Sequence, residues 1–156
     1  MKNKARGFTL IELIVVIIIL GILAVTAAPK FLNLQDDART STLKGVAGSL
    51  NSAGAMVYSK SVLKGKDKES TAYTLDLGNG KTVSTLFGYP VATSAALSTV
   101  VELNSAEWAF AAPTGSNPAA IKIFPNGVST TSTTCFVTYT EATSTSVPTA
   151  VTTDCN

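Results

Sequence analysis

Residues 8–28 read FTLIELIVVIIILGILAVTAA. Twenty-one residues at helical rise span about 31 Å, which matches a hydrocarbon core of roughly 30 Å. An ordinary secretory signal holds an apolar core of only roughly 7–15 residues, so this run is too long for one. Ala24, Ala27 and Ala28 lead into more helix-forming sequence rather than a convincing small-residue cleavage site. Lys2, Lys4 and Arg6 stand directly before the run. Basic residues on that side predict a cytoplasmic N-terminus and an exported remainder. The expected plan is therefore a leader at 1–7, a membrane or filament-core helix at 8–28, an amphipathic half-helix at 29–60 and a globular body at 61–156.

The composition agrees with that segregation. The chain is 46% hydrophobic but only 14% charged, against about a quarter charged in a soluble domain. Its 156 residues suffice for one body with one modest core. Of twelve basic residues, three precede Phe8; without them nine remain against ten acidic residues, a net of −1. No basic stripe is left to neutralise a phosphate backbone, which argues against nucleic-acid binding.

Glu12 is the exception inside the apolar run. A carboxylate at mid-membrane depth costs on the order of 2.5–3.5 kcal/mol, less near the end of a span. It could snorkel to the headgroups. Alternatively it needs a cation, and cleavage after Gly7 would supply one, because Phe8 would then carry a free α-amine. Pairing that amine with Glu12 of a neighbouring copy would fix the axial register, since a misplaced partner leaves a buried charge unpaired. On the residues alone the two readings stand level.

The string Lys4-Ala5-Arg6-Gly7-Phe8-Thr9-Leu10-Ile11-Glu12-Leu13, followed by the apolar helix, resembles the class III signal of type IV prepilins. The resemblance implies cleavage after Gly7 by a prepilin peptidase, N-methylation of Phe8 and an inter-subunit charge role for Glu12. Residues 24–45, Glu107-Trp108-Ala109-Phe110 and the Cys135/Cys155 pair are similar to the mannose-sensitive haemagglutinin (MSHA) type of pilin. That likeness is close up to about residue 55 and thinner in the body. It implies a helical homopolymer, with a cytoplasmic assembly ATPase and a platform protein as partners. It also implies an exposed region at 136–154 and a carbohydrate or other surface ligand.

Gly21 and Pro29 are weak points of the long helix, because Pro29 removes a backbone hydrogen bond and clashes with the preceding turn. A kink is the simple expectation; the resemblance adds local melting near Gly21–Pro29 on assembly. Beyond Pro29, Phe31, Leu34 and Ala38, then Leu43, Val46, Leu50, Ala53 and Val57, recur at helical spacing and predict a packed stripe ending near Lys60. Lys60, Lys64, Lys66 and Lys68 suit the negative end of a helix dipole. Leu77-Gly78-Asn79-Gly80-Lys81 predicts a hairpin turn, residues 93–103 a second helix, and 120–124, 135–140 and 150–152 strands. The fold class is α+β, with one long helix on an antiparallel sheet.

The chain has no histidine, and its two cysteines are Cys135 and Cys155. Without a Cys-x-x-Cys spacing or a base, a structural disulfide is a better reading than a reactive thiol. Export would place the pair where disulfides form. Hydroxyl residues fill about half of residues 128–156, which suits strands and a soluble surface; without an aromatic platform, carbohydrate contact is the weaker reading, and Trp108 reads as core. No nucleophile elbow, phosphate loop, metal-ligand spacing or cofactor motif occurs, so an enzyme ranks last. The alternatives to a major pilin are a minor pilin and a type II secretion pseudopilin. The latter generally uses calcium where this chain has its cysteine pair.

Overall fold

The computed structural model describes residues 7–78 and 80–156, without the side chains of 27–33. Lys2, Lys4, Arg6 and Asn79 therefore lie outside the described residues, as do the side chains of Pro29 and Phe31. The chain divides into two units, one ending at Gln35 and one running from Asp36 to Asn156.

Helix α1 runs Leu10–Leu63, unbroken through Gly21 and Pro29. It stops three residues beyond the expected end, at a Schellman motif. Gly65 has φ +64°, its N–H donates to the Val62 carbonyl at 2.9 Å, and the Lys66 N–H donates to the Ser61 carbonyl at 2.8 Å. Only glycine takes that left-handed position without penalty, so Gly65 rather than the lysine cluster ends the helix. Within the second unit the stripe packs from Leu43 onward: Leu43, Val46, Leu50 and Val57 are buried, joined by Ala47, while Ala53 is half-buried; its expected start is corrected, because Ala38, like Leu34 before it, is exposed.

The body carries two antiparallel sheets rather than the one expected. The first contains β1 (Tyr73–Gly78), β2 (Lys81–Leu86) and β3 (Tyr89–Pro90) in that order. The second contains β4 (Trp108–Phe110), β5 (Ala120–Pro125), β6 (Phe136–Thr140) and β7 (Thr149–Thr153). A short helix α2 (Ser94–Val100) lies between them in sequence; the Thr93 side chain accepts from the Ala96 N–H and so caps it. α2 is shorter than the expected 93–103, because Val101 is already extended.

The buried residues form two clusters. Leu43, Val46 and Leu50 of α1 join Leu97, Trp108, Ile121, Ile123, Val137 and Tyr139 against the second sheet. Val57 joins Leu75, Val83 and Ala96 against the first. The β2–β3 turn is Phe87–Gly88, with φ +49° and +82°. A phenylalanine at positive φ is an outlier, and Gly88 is required: a Cβ there would sit 2.9 Å from Tyr58 Cδ2 and 3.0 Å from the Asp67 Cα.

Candidate functional site

The N-terminal site is built from the first residues of α1. Gly7 has open space around it, with nothing within 4 Å of where a side chain would begin, and Phe8 is 90% exposed. Both residues of the candidate cleavage bond are thus accessible in the single chain. Thr9 is the N-cap of α1. The Glu12 N–H donates to Thr9 Oγ1 at 3.3 Å, while the Thr9 N–H and Oγ1–H each donate to Glu12 Oε2 at 2.8 Å. This is a capping box, which satisfies orphan donors at the helix start reciprocally. In the single chain the Glu12 carboxylate thus has a partner three residues away, one that neither snorkelling nor an external cation supplies. The signal was in the sequence, because Thr9-x-x-Glu12 is the box pattern.

Apolar atoms of Phe8, Ile11, Glu12, Val15 and Val16 line one shallow groove. The large apolar residues from Phe8 to Val25 are all exposed in the single chain. So continuous an apolar surface marks an interaction face. Among the described residues no helix is long and apolar enough to cross a membrane. Within the apolar run the described side chains end at Thr26, two residues before the run itself ends.

The second site joins the C-terminus to α1. Cys135 and Cys155 are bonded. The Cys155 N–H donates to Thr40 Oγ1 at 2.9 Å, and the Cys135 N–H donates to the Asp154 carbonyl at 3.0 Å. Lys44 lies 3.8 Å from Asp154, an exposed pair worth little by itself. The expectation that 136–154 is an exposed region is corrected: Phe136, Val137 and Tyr139 are buried because β6 is an inner strand of its sheet, and beyond it Glu141, which accepts from the Ala92 and Ala119 amides, and Ala142 are buried too. Exposure is confined to shorter stretches, chiefly 144–147.

A third feature escaped the sequence. Tyr58 and Tyr89 stack with ring centroids 4.6 Å apart. With Phe87, Asp67, Lys68 and the hydroxyl-rich loop 143–147 they line an open groove of about 500 Å³. Burial and the neighbouring Tyr58 raise the Tyr89 phenol above its ordinary range. These aromatics come from two separate segments, α1 and the β2–β3 turn leading into β3, so no local pattern announces an aromatic platform. Trp108, by contrast, is core, as expected. The lysine cluster divides: Lys60 Nζ donates to the Leu77 carbonyl, and Lys66 pairs with Glu69 at 2.8 Å, a bond that raises the Lys66 pKa. No group of acidic, cysteine or histidine side chains that could hold a metal ion occurs among the described residues.

Comparison with known proteins bears on the first of these sites. Residues 2–28 match the model of the prokaryotic N-terminal methylation motif. Through this segment the chain is similar to type IV pilins. It is 45% identical over 53 residues to a type IV narrow pilus major component of Thermus thermophilus, covering 34% of this chain and 46% of that one. It is 36% identical over 92 residues to a type IV major pilin of Myxococcus xanthus, covering 59% and 39%. It is also 43% identical over 44 residues to a type II secretion system core protein G of Pseudomonas aeruginosa, covering 28% and 31%. The chain thus spans less than half the length of each of these relatives. No solved structure matches it. The long N-terminal helix followed by antiparallel sheets fits the pilin fold.

Proposed function

We propose that this chain is a pilin, the structural subunit of an extracellular type IV pilus. It is cleaved after Gly7, methylated on Phe8, held in the inner membrane by residues 8–28 and polymerised through that segment. The carrying observation is the run of exposed apolar side chains from Phe8 to Val25, led by the methylation motif. A helix so apolar leaves lipid only by burying itself against like helices, so extraction must be coupled to assembly. The chain carries no nucleotide motif, so the work falls to a cytoplasmic ATPase acting with a platform protein after a prepilin peptidase has cut the leader.

In this reading Glu12 changes partners. Before cleavage its carboxylate is held by Thr9; afterwards the α-amine of Phe8 on a neighbouring copy competes for it and sets the register. Gly21 and Pro29 are where the helix yields on assembly. Surface attachment, adhesion and biofilm formation follow from an extracellular filament, with a carbohydrate or other surface ligand, as in the MSHA type.

The second reading, a pseudopilin of a secretion apparatus, is favoured by the likeness to the core protein G; a minor pilin is its variant. The bonded Cys135–Cys155 pair, in place of a calcium loop, supports the pilus. Shearing whole cells separates them. Abundant protein in the sheared fraction, lost in Glu12→Gln and in an ATPase-deficient strain, is the expected result. Processed protein confined to the cell envelope points to the pseudopilin or minor pilin.

A further inference from the structure

Glu141 is a buried carboxylate, 9% exposed. The ion pairs among the described residues are Lys44–Asp154 and Lys66–Glu69, so Glu141 belongs to neither. Its charge is met by backbone instead. Oε1 accepts from the Ala92 N–H at 2.6 Å and Oε2 from the Ala119 N–H at 3.3 Å, while the Glu141 N–H donates to the Ala119 carbonyl at 2.9 Å. Two residues earlier, the buried Tyr139 hydroxyl donates to the Pro90 carbonyl at 2.8 Å. Both side chains therefore grip residues 90–92, the stretch by which the first sheet leads into α2.

Among the described residues backbone pairing does not join the halves; beside this grip, Ala92 and Leu97 pack in the cluster of the second sheet. No strand of the first sheet pairs with one of the second among the described residues. Their cores are separate clusters, bridged by α1 and by neighbouring residues of α2, Ala96 in one and Leu97 in the other. Between the outer strands β3 and β7 lies an open groove of about 480 Å³, lined by Tyr89 on one side and Thr149–Val151 on the other.

We propose that the body opens in two parts along this seam. The first sheet and α2 separate as a unit from the second sheet, drawing Ala92 and Leu97 out of the larger cluster, and Glu141 with Tyr139 is the latch. Removing the carboxylate orphans two amides on either side of the seam while leaving the apolar packing of both clusters intact. The proposal stands on these contacts and is independent of the filament reading.

Native-state hydrogen exchange on the full chain in detergent micelles tests it. In the wild type, amides of β1 and β2 exchange through a common opening more frequent than that of β5 and β6. Glu141→Ala raises exchange at β1, β2 and Ala92 by about tenfold to hundredfold, as for a hydrogen bond to a charged group, and leaves β5 and β6 within about twofold. Tyr139→Phe gives the same selective pattern at less than about tenfold, and carries the test alone if the first variant does not fold. A single opening shared by both sheets, or variants that accelerate both equally, would overturn the proposal.

Discussion

Replacing Gly88 by alanine probes the packing of α1 against the first sheet, and Gly127→Ala supplies its internal control. Both glycines have left-handed backbones, with φ +82° and +86°. An L-residue there pays roughly 1–2 kcal/mol. The surroundings differ. A Cβ on Gly127 meets nothing within 4 Å, whereas one on Gly88 sits 2.9 Å and 3.2 Å from Tyr58 ring atoms and 3.0 Å from the Asp67 Cα. The Tyr58 ring is stacked on Tyr89, and the Asp67 contact is backbone, so neither neighbour can yield freely. Overpacking of this kind adds roughly 1–3 kcal/mol. Gly127→Ala should therefore destabilise by about 1–2 kcal/mol and Gly88→Ala by about 2–5 kcal/mol. Equilibrium urea unfolding of the full chain in micelles, followed by far-ultraviolet circular dichroism, measures both. Equal destabilisation in the two variants would refute the close approach of the β2–β3 turn to α1.

Leu50→Ala removes a side chain 2% exposed at the centre of the larger cluster, and should destabilise by about 2–5 kcal/mol in the same assay. Cys155→Ser opens a loop of 21 residues and should lose about 3 kcal/mol, with the C-terminal amides near Thr40 losing hydrogen-exchange protection. The Tyr139 phenol is pushed above its ordinary range, by burial first and then by the Glu141 charge. A raised phenol pKa means that the folded state holds its proton longer than the unfolded one. Stability should therefore fall as pH rises beyond about 10, and Tyr139→Phe should flatten that alkaline limb. Local melting near Gly21–Pro29 in the filament would show as a gap in helical density there; continuous density contradicts it.

The stripe Leu43, Val46, Leu50 and Val57 was legible because a 3.6-residue period is local, and it does pack one face of α1. β5, β6 and β7 were legible as apolar alternation next to turn residues. β3 and β4 were not, because two and three residues carry no period. The division into two sheets was invisible for a related reason: it depends on which strands pair, and the bonds that join the halves, Tyr139 to Pro90 and Glu141 to Ala92, each span 49 residues of sequence. The candidate N-terminal site was the most legible part, since Gly7, Phe8, Thr9 and Glu12 are contiguous. Even there the expectation paired Glu12 with a distant amine and passed over Thr9. The Tyr58–Phe87–Tyr89 groove lies at the other extreme, assembled from segments whose patterns each speak only of helix, turn or strand.

The central claim is that the chain is cut after Gly7, exported and polymerised. The intact mass and N-terminal residue of protein sheared from cells test it most directly. The account predicts a chain beginning at Phe8, with one methyl added and two hydrogens missing for the Cys135–Cys155 bond. An uncut chain beginning at Met1 would contradict it, because no free α-amine would then exist to draw Glu12 away from Thr9.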